Sequence, residues 1–353
     1  MSEIRHERPG VYSVYDASAA VTAGRGSKTV GVAARAVYGT VGQAVTLTGY
    51  AAGVAVFGED VTAGMSTILR MLFANGAATV VAVRVDDSGT VADYKAAFAA
   101  LVKKDVQILV CDSGDTDVHQ ALRSSVETAS GQRRERIAVV GGSGESAAQL
   151  VEHAAALNSE RMMLVGPDAL DQSGKSLPGV FAAAAVAGVL AVGGDPAIPL
   201  NGAKVVGLGG LGEDYSDNDI DLLVRGGVTP LESVAGVISP VRGITTRTTT
   251  GGVADSTWRE LTTILIVDDV IPAIRAALRS RFARAKNTAR NRGAIRSQVI
   301  VELEKKVAAE IIDSYGEVSV TAMEQDPTIC LVEFSFAVAH GLNQIYLTVH
   351  ITV

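Results

Sequence analysis

Aromatic residues, cysteine and proline are all scarce in this chain. Only 5% of the 353 residues are aromatic, with a single tryptophan. That excludes a core built on large anchoring rings and weakens any single-stranded nucleic-acid reading, because such binders stack bases on rings. The two cysteines, Cys111 and Cys330, sit in apolar strand-like runs. They are too few for a disulfide framework and have no metal-ligand spacing, so they read as buried free thiols. The five histidines, His6, His119, His153, His340 and His350, likewise lack ligand spacing. The richest apolar run, Val180 to Gly194, is mostly small residues and too short to span a bilayer, which needs about 20. The opening Met1-Ser2-Glu3-Ile4-Arg5-His6-Glu7-Arg8 is too charged for a secretion signal. The sequence therefore predicts a soluble, intracellular chain at synthesis, with no membrane insertion. A net charge of −7 argues mildly against nucleic acid as a direct partner.

Catalytic motifs are also lacking. Gly141-Gly142-Ser143-Gly144-Glu145-Ser146 lies between a predicted strand and a predicted helix, where backbone N–H groups can cradle a phosphate. It is neither a full G-x-G-x-x-G nor a G-x-S-x-G elbow, and a tight strand-to-helix turn explains it more simply. Gly174-Lys175-Ser176 has alanine at 169 where a Walker A loop begins with glycine, and Gly26-Ser27-Lys28-Thr29 departs similarly. The acidic run Gly212 to Asp219 lacks the spacing of a calcium loop. No cofactor, metal or catalytic residue is implied. An α/β nucleotide-binding enzyme with its site near Gly141 to Ser146 stands as the alternative reading, and a basic-helix nucleic-acid binder as a third.

What the chain does have is apolar pattern: 48% of its residues are hydrophobic, and its length suits two or three domains. Residues 1–24 read as an arm, with a turn at Pro9-Gly10 and strand candidates at Val11, Tyr12 and Val14. From about 90 to 195, continuous apolar strands alternate with amphipathic helices, the signature of an open α/β sheet buried on both faces. Strands at 30–33 and 79–85 flank a helix over 62–75 that Gly76 closes. After Pro196 the pattern becomes α+β, with helices over 258–291 (interrupted near Pro272) and 294–314. Strands follow at 317–323, 329–338 and the C-terminus. The predicted architecture is a discontinuous α+β core, 25–89 with 196–340, carrying an inserted α/β domain over 90–195. Extended strand arms at 1–24 and 341–353 complete it.

The end of the chain is the sharpest pattern. Ile345, Leu347, Val349, Ile351 and Val353 alternate with Tyr346, Thr348, His350 and Thr352 out to the last residue. Such a strand needs a sheet to join, and pairing with another chain supplies one. A second pattern is electrostatic. Between Asp269 and Glu302 there are eight cationic residues and no acid, with Arg275, Arg279, Lys286 and Arg290 along one flank of an apolar helical stripe. Eight uncompensated charges in an acidic protein favour a docking strip over a merely solvated face.

The C-terminal third resembles the tail sheath proteins of contractile bacteriophages and R-type bacteriocins. The resemblance is carried by Trp258-Arg259-Glu260-Leu261, Ile264 to Val270, Asn287-Thr288, Arg292-Gly293 and Tyr346-Leu347-Thr348-Val349. Gly226-Gly227-Val228, Gly243 to Thr249 and Pro9-Gly10-Val11-Tyr12 fit the same family. It implies a structural subunit, not an enzyme, that stacks with copies of itself as rings around an inner tube. It also implies baseplate and tail-terminator partners, and a location in the virion tail after assembly in the host cytoplasm. Neighbouring arms and terminal strands would link by β-augmentation, with Gly24 and Gly26 as arm hinges. The basic ridge Arg275, Arg279, Lys286 and Arg290 would face the tube.

Overall fold

In the computed structural model, which describes residues 28–59 and 64–343, the apolar runs become the strands of one large sheet. Strands β1 (Val30–Arg35) and β2 (Ala44–Leu47) precede helices α1 (Tyr50–Phe57) and α2 (Met65–Ala74). Then β3 (Val80–Val85), α3 (Val91–Val102), β4 (Ile108–Cys111), α4 (Thr116–Gly131), β5 (Ile137–Gly141), α5 (Ala147–Leu157) and β6 (Met162–Gly166) alternate. A small sheet of β7 (Ala169–Leu170), β8 (Ser176–Leu177) and β9 (Gly210–Leu211) brackets helix α6 (Gly179–Val192). Helix α7 (Asp217–Arg225) leads into the hairpin of β10 (Val228–Val234) and β11 (Val237–Pro240). A two-residue ladder joins β12 (Thr249–Thr250) to β13 (Val253–Ala254).

The strand order is β11-β10-β6-β5-β4-β1-β3-β2. Every pairing from β10 to β3 is parallel, and an antiparallel strand closes each edge. Period-two alternation divides each strand between two layers. Val32, Val110, Val139 and Val165 face α2 and α6, whereas Ala33, Leu109, Val140 and Leu164 face α3, α4 and α5. Both faces are covered, so the strands are apolar throughout.

This topology corrects the expected domain division. β1 pairs with β3 on one side and β4 on the other, so strands 30–35 and 80–85 share a single sheet with the 90–195 block. The apolar faces of β1 and β3 are satisfied inside that sheet, and the C-terminal α+β segment builds its own core instead.

Helix α6 has no polar face because it lies between the sheet and α2, with nearly all its residues buried. Small residues set its distance from both. A Cβ on Gly141 would stand 2.2 Å from the Gly179 carbonyl, and one on Gly188 would stand 2.8 Å from the Leu72 carbonyl oxygen. Real side chains do not approach backbone so closely, so glycine here permits the layer spacing.

The opposite layer buries two histidines. His119 Nε2 donates to the Ser113 carbonyl oxygen at 2.7 Å, and its Nδ1 accepts from His153 Nε2 at 2.9 Å. His153 Nδ1 lies 3.0 Å from Glu145 Oε1. Cys111, on β4 nearby, is buried as expected, and burial pushes its thiol up to about 12; Cys330 is only half-buried.

The C-terminal segment contains α8 (Leu261–Phe282), α9 (Ala289–Ala308), β14 (Ile312–Tyr315), β15 (Ser319–Ala322), β16 (Cys330–Glu333) and β17 (Phe336–Val338). Helix α8 runs through Pro272 and ends at Phe282, and Thr288 caps the next helix by accepting from the Asn291 N–H. The two expected helices are present, but their boundary lies earlier than the expected 291/294, because the Thr288 cap starts the second helix at Ala289. Strand β14 pairs with β17 and β15 with β16, so 312–322 and 330–338 form one kinked antiparallel ribbon. Val332, Phe334, Phe336 and Val338 pack inward on Val270, Val299 and Leu303, while Leu331, Glu333 and Ser335 point outward. Among the described residues no helix is long and apolar enough to cross a membrane.

Burial depresses the His119 pKa to about 3, with the His153 ring adding to the effect. The unfolded chain, with an ordinary histidine near 6.5, then binds a proton that the folded chain refuses. Stability is complete above pH 6.5 and falls as pH drops towards 3, by about 1.4 kcal/mol per pH unit. Urea midpoints at pH 7 and pH 5 should differ more for the wild type than for His119→Gln.

Candidate functional site

The strand-to-helix turn at Gly141 to Ser146 is already filled by the protein's own groups. Asp168 accepts from the Gly144 N–H at 2.8 Å and, through its other oxygen, from the Gly179 N–H at 2.8 Å. Ser146 caps α5 by accepting from the Gln149 N–H, and a Cβ on Gly142 would strike the Glu145 carboxylate at 2.1 Å. Two carboxylates occupy the place where phosphate oxygens would sit, so like charge opposes a nucleotide. Among the described residues no group of three or more histidines, cysteines or carboxylates is arranged to hold a metal.

The basic stretch divides into paired and free charges. Arg275, on α8, reaches back to Glu135 at 2.8 Å, just ahead of β5. Burial raises the Glu135 carboxyl, but the hydrogen bond and charge of Arg275 prevail and hold it below the usual range. Arg281 bonds Gln298, Arg292 bonds Asn287, and Arg296 donates to the Val318 carbonyl oxygen at 2.8 Å. Arg279, Lys286 and Arg290 are exposed around the α8–α9 turn, as is Arg284. Three of the four predicted ridge residues thus gather at this turn. Arg275 belongs instead to the joint between helix and sheet. Lys286 and Arg290 lie beyond the end of α8, so the ridge follows a bend and not one helical flank.

That joint is the part sequence reading missed. Arg161, ahead of β6, makes a two-pronged contact with Asp268 on α8, Nη1 to Oδ2 at 2.8 Å and Nη2 to Oδ1 at 3.0 Å. Both side chains are largely buried. Lys306 of α9 pairs with Asp269. Lys28 lies over the same acids, and burial lowers its pKa while Asp268 and Asp269 raise it. Burial is also the main influence on Asp268 and pushes its carboxyl up. The only sequence signal was Asp268-Asp269 interrupting the apolar run Ile264 to Val270.

The remaining candidate surface is the ribbon. One face packs on α8 and α9, and among the described residues neither strand has a further partner on its outer edge. The predicted arm residues Val11, Tyr12 and Val14 and the hinge residues Gly24 and Gly26 lie outside the described residues. So do the strand residues Ile345, Leu347, Val349, Ile351 and Val353.

Solved structures share this arrangement of sheet, helix pair and ribbon. The helical sheath of the anti-feeding prophage in its contracted state superposes with a TM-score of 0.73 at 17% identity, over 98% of this chain and 99% of that one. The sheath tail protein of Desulfitobacterium hafniense gives 0.70 at 12% identity, over 93% and 100%. The sheath tail protein Lin1278 of Listeria innocua gives 0.71 at 12%, over 89% and 92%. The fold is that of contractile-sheath subunits.

Sequence comparison narrows this further. Residues 88–246 match the phage tail sheath protein central domain, and residues 253–352 match the phage tail sheath C-terminal domain. The tail sheath protein of Bacillus phage SP01 is 30% identical over 276 residues, covering 75% of this chain. The chain spans just under half, 46%, of that relative's length. The chain belongs to the phage tail sheath family, whose members are structural proteins and not enzymes.

Replacing Arg161 with methionine would leave Asp268 charged and largely buried, which costs about 3 kcal/mol or more. A thermal-denaturation cycle should show Arg161→Met strongly destabilised. Arg161→Met combined with Asp268→Leu should recover most of the loss.

Proposed function

We propose that this chain is a structural subunit of a contractile tail sheath. Copies polymerise as stacked rings around an inner tube, and contraction drives the tube through a bacterial envelope. The observation that carries this reading is the ribbon of 312–322 and 330–338, ordered on one face and unpaired on both edges among the described residues. A two-stranded ribbon is marginal by itself, and open edges invite further strands. The alternating C-terminal pattern and the strand-like N-terminal segment are segments of the right chemistry to add there. Strand addition between identical copies is a head-to-tail contact that propagates into a filament.

The free cations of the α8–α9 turn suit a second partner, the inner tube. Exposed, individually weak ion pairs release when the lattice moves, whereas a dry apolar interface would resist. Arg279, Lys286 and Arg290 carry that contact, and Arg275 supports it from behind through Glu135. Baseplate and tail-terminator proteins meet the two ends of the polymer. The protein resides in the tail of the particle after assembly in the host cytoplasm. Chains of the same fold occur in the contracted helical sheath and in the baseplate of the anti-feeding prophage.

Deleting residues 342–353 should leave a folded, soluble chain that forms no sheath in electron micrographs. Contractile polymers from that truncation would exclude the strand-exchange reading. Charge reversal at Arg279, Lys286 and Arg290 together should abolish polymerisation on tubes. Normal tails assembled from that variant would remove the ridge from the tube contact.

A further inference from the structure

Four arginines converge where α7 ends and the 247–259 loop returns. Arg225, Arg247 and Arg259 line a cavity of about 240 Å³ together with Thr248, Asp255 and Ser256. Three of the four arginines are matched by an acid. Arg225 pairs with Asp221 at 2.9 Å, Arg242 with Glu260, and Arg247 with Glu160 at 2.7 Å. Asp255 is held by the Thr250 hydroxyl at 2.6 Å and the Thr257 N–H at 2.9 Å. Those bonds lower its pKa to about 2, so it stays ionised.

Arg259 is the one left over. Among the described residues its side chain makes no hydrogen bond, and its Nε is fully buried without a partner, as are the Nε atoms of Arg242 and Arg247. Burial lowers its pKa, and Arg242 and Arg225 lower it further against the opposing pull of Glu260. The side chain is half-buried, and beside two other guanidinium groups it has no acid of its own among the described residues, which leaves its Nη groups open to an acceptor. The matching geometry for a guanidinium is an oxyanion, engaged by two parallel N–H bonds.

The other end of α7 presents such groups. Glu213 and Asp214 lie in the exposed loop before the helix, and neither makes an ion pair among the described residues. Helix α7 has nine residues, a length of about 13 Å, and separates the acidic loop from the arginine cavity, whose lining includes neither Glu213 nor Asp214. Complementary patches at opposite ends of one short helix fit a second copy placed head to tail.

We infer that Arg259 and its cavity receive a carboxylate from the Glu213–Asp214 loop of a second copy of this chain. This contact rests on the sheath reading and adds to it a lateral or axial lock separate from the strand exchange. Its repetition along a polymer is heterologous and does not close, as a helical lattice requires. Because the pair is partly screened when exposed, polymer yield should also fall with added salt.

The test uses the full chain, with polymer assayed by pelleting and electron microscopy. Arg259→Glu and the double change Glu213→Lys/Asp214→Lys should each raise the concentration needed for assembly by at least about tenfold. Combining them should restore it to near the wild-type value. Arg259→Gln removes the charge without repelling Arg242's partner, and should show the same loss while keeping the wild-type circular dichroism and melting curve. Wild-type assembly by Arg259→Glu, or failure of the combined variant to recover, would overturn the contact and leave the sheath reading standing. Wild-type chain that never polymerises would remove both. Stabilisation of the unassembled protein by inorganic phosphate, with assembly indifferent to Arg259, would assign the cavity to a free anion and overturn the second-copy occupant.

Discussion

The two-pronged contact between Arg161 and Asp268 holds the first half of α8 against the sheet, and the C-terminal segment is placed by it. Leu261, Ile264 and Leu265 of that helix belong to the α/β core, whereas Ile266, Val270 and Ile274 belong to the core it forms with α9 and the ribbon. One helix therefore serves two hydrophobic cores, and its polar flank is fastened where they meet. Arg275–Glu135 and Lys306–Asp269 extend the same joint. Buried pairs of this kind add little net stability over apolar packing, but breaking one is costly, so they fix geometry more than they add strength. The pairs therefore fix the geometry between the α/β body and the C-terminal ribbon.

Charge in this protein sorts by what it must do. Cations inside the joint have dedicated acids and stay with them. Cations at the α8–α9 turn have none among the described residues and are exposed. Arg259 is an intermediate case, with a buried N–H and no paired acid among the described residues. The net charge of −7 conceals all three roles, because each depends on which acid lies within about 4 Å and not on totals.

The body of the molecule obeys a stricter constraint. A parallel sheet covered on both faces needs helices close to its surface, and α6 meets that need with alanine, glycine and valine. Large rings are few in both layers: Phe57 and Phe181 lie in the core on the α6 side, and Tyr94 and Phe98 in the opposite one, where α3 stands over β3. Small-residue packing also explains why the Gly141 turn resembles a phosphate loop in sequence without being one. The glycine is there because Gly179 passes 2.2 Å from where its Cβ would stand.

The sequence by itself determined the elements with strong period. The strands at 108–111, 137–141 and 162–166, their capped helices and the inward face of 330–338 were all legible, since burial on a strand or helix imposes a repeat readable without partners. The family resemblance was legible for a related reason: its residues lie in continuous segments. What only the tertiary structure decided is non-local. Residues 30–35 and 80–85 sit in the same sheet as the 90–195 block because β1 pairs with β4, and no local pattern encodes which strand neighbours which. The helix after Pro272 stops at Phe282 because Thr288 caps the next one, a competition that periodicity averages over. Arg161 and Asp268 meet across 107 residues, and Arg275 finds Glu135, because hydrogen bonds between side chains follow the fold and not the spacing of the chain.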